Sequence, residues 1–410
     1  MYFSGVQIKT KKKEKIMSLY KKLPLLAKLI LAIILGIVFG KILPVYIIKV
    51  LVTFSGIFSS FLGFVIPLII VGFIVPGISQ VAGNAGKLLG ASTLIAYVST
   101  VIAGTIAFLV AKNVLPSILS GATLASLENP EELLLSGYIK IEMLPVFSVT
   151  TALILSFVIG IGISSLKLKG MKKAFDEFGE IISLLLNKMI IPLLPFYIMG
   201  VFANITVSGE VFKILKIFLY VFVVIILLHI FILVLQYSVG GGLNKKNPFA
   251  MLVKILPAYA TAVGTQSSAA TIPVTLECTK KMGVDKSVAN FTIPLFATIH
   301  LSGSTITLTT CASAVFWLQH AGTFPPAAMM AHFIIMLGVT MVAAPGVPGG
   351  AVMAALGVLQ SILGFNEIML SLMIALYIAQ DSLGTACNIS GDAALASIVD
   401  KVNQKFFKKA

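Results

Sequence analysis

Long apolar runs with short polar interruptions dominate the chain from residue 25 onward. Stretches 25–39, 54–78, 94–110, 146–163 and 214–235 reach or approach the roughly 20 residues a helix needs to cross a bilayer. The pattern predicts an all-α integral membrane protein built as one bundle. After Gly240–Gly242 the texture changes. Residues 249–281 form an apolar stretch broken at Thr265-Gln266-Ser267-Ser268 and flanked by Lys245/Lys246 and Lys280/Lys281. Each arm is too short to span, which predicts a re-entrant hairpin entering from the cytoplasm. Its tip would be tolerable only beside protein or a cavity. Residues 284–318 follow, broken at His300-Leu301-Ser302-Gly303-Ser304, then 325–363, broken at Pro345-Gly346-Val347-Pro348-Gly349-Gly350. The last long helix is 365–399.

The C-terminal part thus repeats one plan, a broken hairpin and then a polar-bearing helix, entering from opposite sides. Paired interrupted segments point to an inverted-repeat transporter with its site where the breaks meet. Kinked spans with packing glycines are the alternative. Within 365–399, Asp381, Thr385, Asn388 and Asp392 fall at i, i+4, i+7 and i+11, one narrow stripe of a helix. Ionisable groups at membrane depth face protein, a cavity or an ion.

Composition agrees: 58% hydrophobic against 11% charged residues excludes a soluble domain. The net charge of +15 does not indicate nucleic-acid binding, because the lysines sit mostly in loops. Lysine clusters mark the N-terminal segment 1–23, the 167–173 region, 245–246, 280–286 and the tail 400–410, whereas Glu128, Glu131, Glu132 and Glu142 share one loop. The positive-inside rule then puts both termini in the cytoplasm. No cleavable signal peptide is expected. Cys278, Cys311 and Cys387 are scattered and read as packing residues rather than a disulfide or metal set. All 30 basic residues are lysine, so no arginine fork is available to hold a carboxylate.

Helix breaks supply carbonyls for a hard cation and amides for a carboxylate. Asp381 and Asp392 add anionic oxygens, Asn388 an amide, and Ser267, Ser268, Thr298 and Thr385 hydroxyls. Three helical turns, roughly 16 Å, separate the two aspartates, too far to share a proton as an aspartyl protease requires. No enzyme is expected.

Several motifs resemble the dicarboxylate/amino acid:cation symporter family, closest to its serine/threonine branch. They are Thr265-Gln266-Ser267-Ser268 with Thr271-Ile272-Pro273-Val274-Thr275, Pro294-Leu295-Phe296-Ala297-Thr298-Ile299, Gly346-Val347-Pro348-Gly349, and Asp381…Thr385…Asn388…Gly391-Asp392. The resemblance implies eight transmembrane helices plus two re-entrant hairpins, and a homotrimer working as an elevator. Residues 24–240 would supply mainly scaffold spans together with some helices of the moving domain. Hairpin 325–363 would be the extracellular gate. It further implies that Asp381 holds a substrate ammonium, and that Asn388 with the Ser267–Ser268 backbone holds its carboxylate, with Val347, Gly349 and Thr385 also lining the site. Asp392 would bind sodium with carbonyls near His300, Ser302 and Asn388. Thr298 and the second hairpin would serve another sodium.

Departures from the family pattern refine this. Acidic-substrate members carry an arginine where Gly384 stands here, and some carry one where Gln266 stands. An unpaired buried carboxylate costs several kcal/mol, so a small zwitterionic neutral amino acid is expected. Gln380-Asp381-Ser382 resembles the serine/threonine branch. The family's Asn-Met-Asp-Gly-Thr break reads His300-Leu301-Ser302-Gly303-Ser304, which implies fewer sodium sites. By the same resemblance Tyr97 and Thr100 would form the other wall of a third sodium site, but Val101 stands where a hydroxyl would help. His300 offers a proton in place of one ion; a neutral, hydrogen-bonded histidine is the alternative. His229, His320 and His332 read as incidental. The expected function is sodium-coupled symport in a prokaryotic plasma membrane. Acidic-substrate or proton-coupled transport on the same fold is the alternative, and a channel or scaffold the reading from another class.

Overall fold

The computed structural model describes residues 23, 25–83, 87–119, 135–209, 211–320, 322–342, 344 and 348–407. Among these residues every regular element is helical. Four helices are built from the apolar runs of the first half, α1 (Leu25–Ile42), α2 (Val45–Gly83), α3 (Lys87–Leu119) and α4 (Val149–Ser165), and the more charged, amphipathic α5 (Lys169–Leu185) follows. A π-turn at Leu186–Ile190 leads into α6 (Ile191–Val207), and α7 (Val211–Leu243) follows. Then come α8 (Pro248–Thr265), α9 (Ser268–Lys281), α10 (Lys286–Ile299), α11 (Ser302–Gln319), α12 (Ala327–Val342), α13 (Gly350–Leu363) and α14 (Glu367–Val402). Seven helical stretches among the described residues are long and apolar enough to cross a membrane. One of the seven is Pro248–Thr265, the first arm of the hairpin expected at 249–281.

Local chemistry sets the helix starts. Asn247 caps α8, accepting from the Phe249 and Ala250 amides, and Asp285 and Asn366 cap α10 and α14 in the same way. At Gln266 the backbone turns left-handed (φ 53°), which ends α8 and lets Ser267 cap α9 through the Ala270 amide. His300 is extended and Leu301 (φ −119°, ψ 54°) is also outside the helical region, which separates α10 from α11.

The helices sort into two groups. In the first, α2 packs on α4, α5 and α6, and α1 on α6. In the second, α14 runs through the middle, against α7, α8, α9, α10 and α11, while α3 lies on α11 and α12. The groups meet where α2 touches α12 and α13 and where α1 touches α14. Residues 135–148 form an extended strap over the first group. Asn204 exchanges two hydrogen bonds with the Leu135 backbone (2.9 and 3.1 Å), and the Tyr138 and Met143 amides donate to Thr53 and Ser60. The loop carrying Glu128, Glu131 and Glu132 and most of the N-terminal lysines lie outside the described residues.

Candidate functional site

The stripe on α14 is buried. Asp381, Thr385, Asn388 and Asp392 are 4%, 5%, 2% and 1% exposed, so two carboxylates sit inside the second group of helices rather than toward lipid or solvent. Because α14 is unbroken between them, the separation of three turns stands. Two distinct centres result.

At the first, the Gly349 amide donates to Asp381 Oδ2 at 2.7 Å. Gly349 has φ +74°, a conformation that suits glycine, and it turns the chain into α13 so that its N–H points at α14. Gly349, just before α13, therefore rests directly on the carboxylate. Tyr377 and Thr385 lie one turn before and one turn after Asp381 on the same helix. Beside it, Ser304 and Asn388 are doubly joined: the Ser304 amide donates to Asn388 Oδ1 (3.1 Å), and Asn388 Nδ2 donates to Ser304 Oγ (2.9 Å). Tyr377 donates to the same Ser304 oxygen at 2.8 Å.

At the second centre, His300 Nδ1 lies 2.8 Å from Asp392 Oδ1, and its Nε2 is 3.1 Å from Ser99 Oγ. Gln236 Nε2 donates to Ser99 Oγ (3.0 Å) and to Ser302 Oγ (3.3 Å). An ionised carboxylate only accepts. His300 Nδ1–H therefore donates to Asp392, and Ser99 Oγ accepts from the Gln236 amide and either donates to His300 Nε2 or accepts from it, according to whether the ring carries one hydrogen or two. Asp392 Oδ2 and Gln236 Oε1 remain buried without a hydrogen-bond partner. A buried anionic oxygen in that state suits a cation. Among the described residues no group of three or more His, Cys, Asp and Glu could hold a metal, so backbone carbonyls would have to complete such a shell.

The remaining expected residues fall at different places. Gln266, Ser267 and Ser268 form the turn between α8 and α9, and α9 packs on α14. Gly384 lies beside Thr307 and Ser304, where an added Cβ would meet nothing nearer than 3.7 Å. Ser302 is reached through Gln236. Thr298 is exposed, with its hydroxyl returned to the Leu295 carbonyl at 2.7 Å, and takes part in neither centre. Val347 lies outside the described residues. Tyr97 donates to the Ile335 carbonyl and Thr100 to Ala96, so the α3 residue that reaches the break is Ser99. His229, read from the sequence as incidental, has Nε2 3.0 Å from the Gly303 carbonyl. It therefore joins α7 to the start of α11, whereas His320 stacks on Phe316 at 3.8 Å.

Comparison with known proteins bears on this geometry. Residues 25–402 match the model of the sodium:dicarboxylate symporter family. The serine/threonine transporter SstT of Acinetobacter baumannii (strain AYE) is 26% identical over 397 residues, 93% of this chain and 97% of the relative. Neutral amino acid transporter A of Bos taurus is 33% identical over 191 residues, 44% of this chain and 36% of the relative. Excitatory amino acid transporter 2 of Mus musculus is 27% identical over 258 residues, 60% and 44% respectively. The alignments with the two mammalian relatives thus span well under half of their lengths.

Proposed function

This chain belongs to the sodium:dicarboxylate symporter family, and from that premise we propose that it carries a small neutral amino acid of the serine, threonine or alanine type into the cell with sodium. That family is one of symporters rather than of enzymes, and the seven apolar helical stretches fit a multi-pass membrane transporter. The observation that carries the substrate assignment is the first centre. Asp381 is a buried carboxylate under Gly349, just before α13, and Gly384, one turn on, offers no cation to a second substrate carboxylate. A zwitterion is neutralised there: its ammonium meets Asp381, and its carboxylate meets amides at Asn388 and the Ser267–Ser268 turn. The names of the bacterial and bovine relatives favour the same substrate class.

Sodium is cargo in this scheme. Asp392, with its unpartnered Oδ2, and carbonyls around His300 and Asn388 would hold one ion. Thr298, whose hydroxyl is returned to the Leu295 carbonyl, would have to turn toward the second hairpin to hold another, and Ser302 in the break supports a smaller number of sites than in acidic-substrate members. The second reading, a proton replacing one ion, is favoured only by His300 Nδ1 lying 2.8 Å from Asp392. In the elevator scheme the helices around α14 move against α1, α2 and α4–α6, the second hairpin gates the outside, and the chain works as a homotrimer. Both termini would face the cytoplasm of a prokaryotic cell.

The test is binding of L-serine to Asp381→Asn. A neutral amide meets an ammonium poorly, so binding should be abolished. Unchanged affinity would remove Asp381 from the substrate site.

A further inference from the structure

A groove of about 420 Å³ runs between α7 and α8, apart from both centres described above. Ile230, Leu233, Phe249, Val253 and Leu256 form its walls, and all but Leu233 are more than half exposed. Both helices are long and apolar enough to cross a membrane, so the mouth of the groove faces acyl chains. From Phe249 to Tyr259 the α8 wall extends over roughly 15 Å. His229 and Ser390 line the same groove and are 4% and 0% exposed. The Nε2 of His229 is 3.0 Å from the Gly303 carbonyl, which only accepts, so Nε2 carries a hydrogen. Its Nδ1 is buried without a hydrogen-bond partner. No carboxylate bonds to this ring, and an unpaired charge is costly at such depth, so the ring is uncharged and Nδ1 is a bare acceptor. Ser390 Oγ is also buried without a partner, although a helical serine can return its hydroxyl to the preceding turn. The Cys387 thiol donates to the His229 carbonyl at 3.9 Å, and Ser390 follows Cys387 by about one turn of α14. The orphaned acceptor and the orphaned hydroxyl therefore stand at neighbouring levels of one apolar groove.

We propose that the groove between α7 and α8 binds a free long-chain fatty acid, with its un-ionised carboxyl group at His229 and Ser390 and its chain along α8. The carboxyl O–H donates to His229 Nδ1, and the carboxyl carbonyl accepts from the Ser390 hydroxyl. One head group thus satisfies both buried atoms, while the chain fills the apolar walls. Other occupants fit less well. Water would answer the two polar atoms but leave the walls without contacts. A two-chain phospholipid entering tail first would leave Nδ1 and Oγ unpaired. Entering head first, it would bring a phosphate with no cation to meet it. Lys246 and Lys254, near the start of α8, are bonded instead to the carbonyls of Met282, Gly283 and Lys281. An occupied groove has a route to the transport site. His229 holds the Gly303 carbonyl, and the next residue, Ser304, donates its amide to Asn388. The bound acid would fix the ring that tethers the first turn of α11. Its binding does not depend on which amino acid is carried.

The experiment is photo-crosslinking of a diazirine-bearing palmitic acid to the full chain in phosphatidylcholine nanodiscs, with the labelled peptides mapped by mass spectrometry. Unlabelled palmitic acid, its methyl ester and phosphatidylglycerol serve as competitors. Label should concentrate on residues 226–234 and 249–259. The methyl ester has no O–H for Nδ1, so palmitic acid should compete at a concentration roughly three- to tenfold lower, as expected for one hydrogen bond. Ser390→Ala should weaken competition by palmitic acid by a similar factor, and Val253→Trp, which fills the groove from its lipid-facing wall, should lose the label. Equal competition by acid and ester in the wild type would overturn the inference, and that comparison needs no variant to fold. Label spread evenly over all lipid-facing helices would overturn it too, as would displacement by phosphatidylglycerol as readily as by palmitic acid. So would absence of label from the groove, the result if a second copy of the chain covered its mouth.

Discussion

Replacing Gly303 by alanine tests the closest approach in the site. A Cβ at Gly303 would lie 2.5 Å from the Gly384 carbonyl oxygen, 2.6 Å from Cys387 Cβ and 3.1 Å from Asn388 Oδ1. Ordinary contacts of this kind are about 3.5 Å or longer, so α11 and α14 must part by about 1 Å. The first contact is with backbone, which cannot swing aside as a flexible side chain can. That shift falls on the Ser304–Asn388 pair, whose bonds of 3.1 and 2.9 Å would pass beyond hydrogen-bond range. Overpacking costs about 1–3 kcal/mol, and two lost hydrogen bonds add about 1–3 kcal/mol. Alanine returns about 0.5–1 kcal/mol of helix preference, which leaves a net loss of roughly 1–5 kcal/mol. Gly384→Ala is the matched control. Its Cβ meets nothing closer than 3.7 Å, so only the gain in helix preference remains. The assay is thermal unfolding of the purified variants in one detergent, alongside L-serine binding. Gly303→Ala should unfold at clearly lower temperature and bind serine weakly, whereas Gly384→Ala should unfold at or above the wild-type temperature. A Gly303→Ala protein as stable as the wild type, or a Gly384→Ala protein destabilised to the same degree, would refute the packing described between α11 and α14.

Two further substitutions probe the centres separately. Gly384→Arg should admit L-aspartate in competition assays, because the new guanidinium would neutralise a second carboxylate; unaltered selectivity would count against the pocket. Asp392→Asn keeps an acceptor for the His300 ring nitrogen but removes the charge. Serine affinity should therefore become less dependent on sodium concentration, and an unaltered sodium response would take Asp392 out of the ion site.

How much of this was legible in the sequence depends on the range of the interaction. The carboxylate stripe was legible because aspartates at a helical spacing inside an apolar run have few uses other than an interior site. The interruptions at Gln266 and His300 were legible for a similar reason. Polar residues at membrane depth need local backbone or protein partners, and the structure breaks its helices at both. The strap contacts and the second centre were not legible. Ser99 and His300 are 201 positions apart and Gln236 and Ser99 are 137 apart, and no periodic pattern links such pairs. Tyr97 and Thr100 were expected, through the family resemblance, to form one wall of a third sodium site. A helix rotates 100° per residue, however, and the face turned toward His300 carries Ser99. Tyr377 and His229 were hidden differently. An aromatic or a lone histidine in an apolar helix reads as core, and only the bonds to Ser304 and to the Gly303 carbonyl distinguish them.

Accumulation of labelled L-serine in proteoliposomes bears most directly on the transport claim, with sodium and proton gradients imposed separately and L-aspartate run in parallel. The account predicts concentrative serine uptake that follows the sodium gradient, persists without a proton gradient, and exceeds that of aspartate. Uptake driven by protons alone, or accumulation of aspartate in preference to serine, would contradict it.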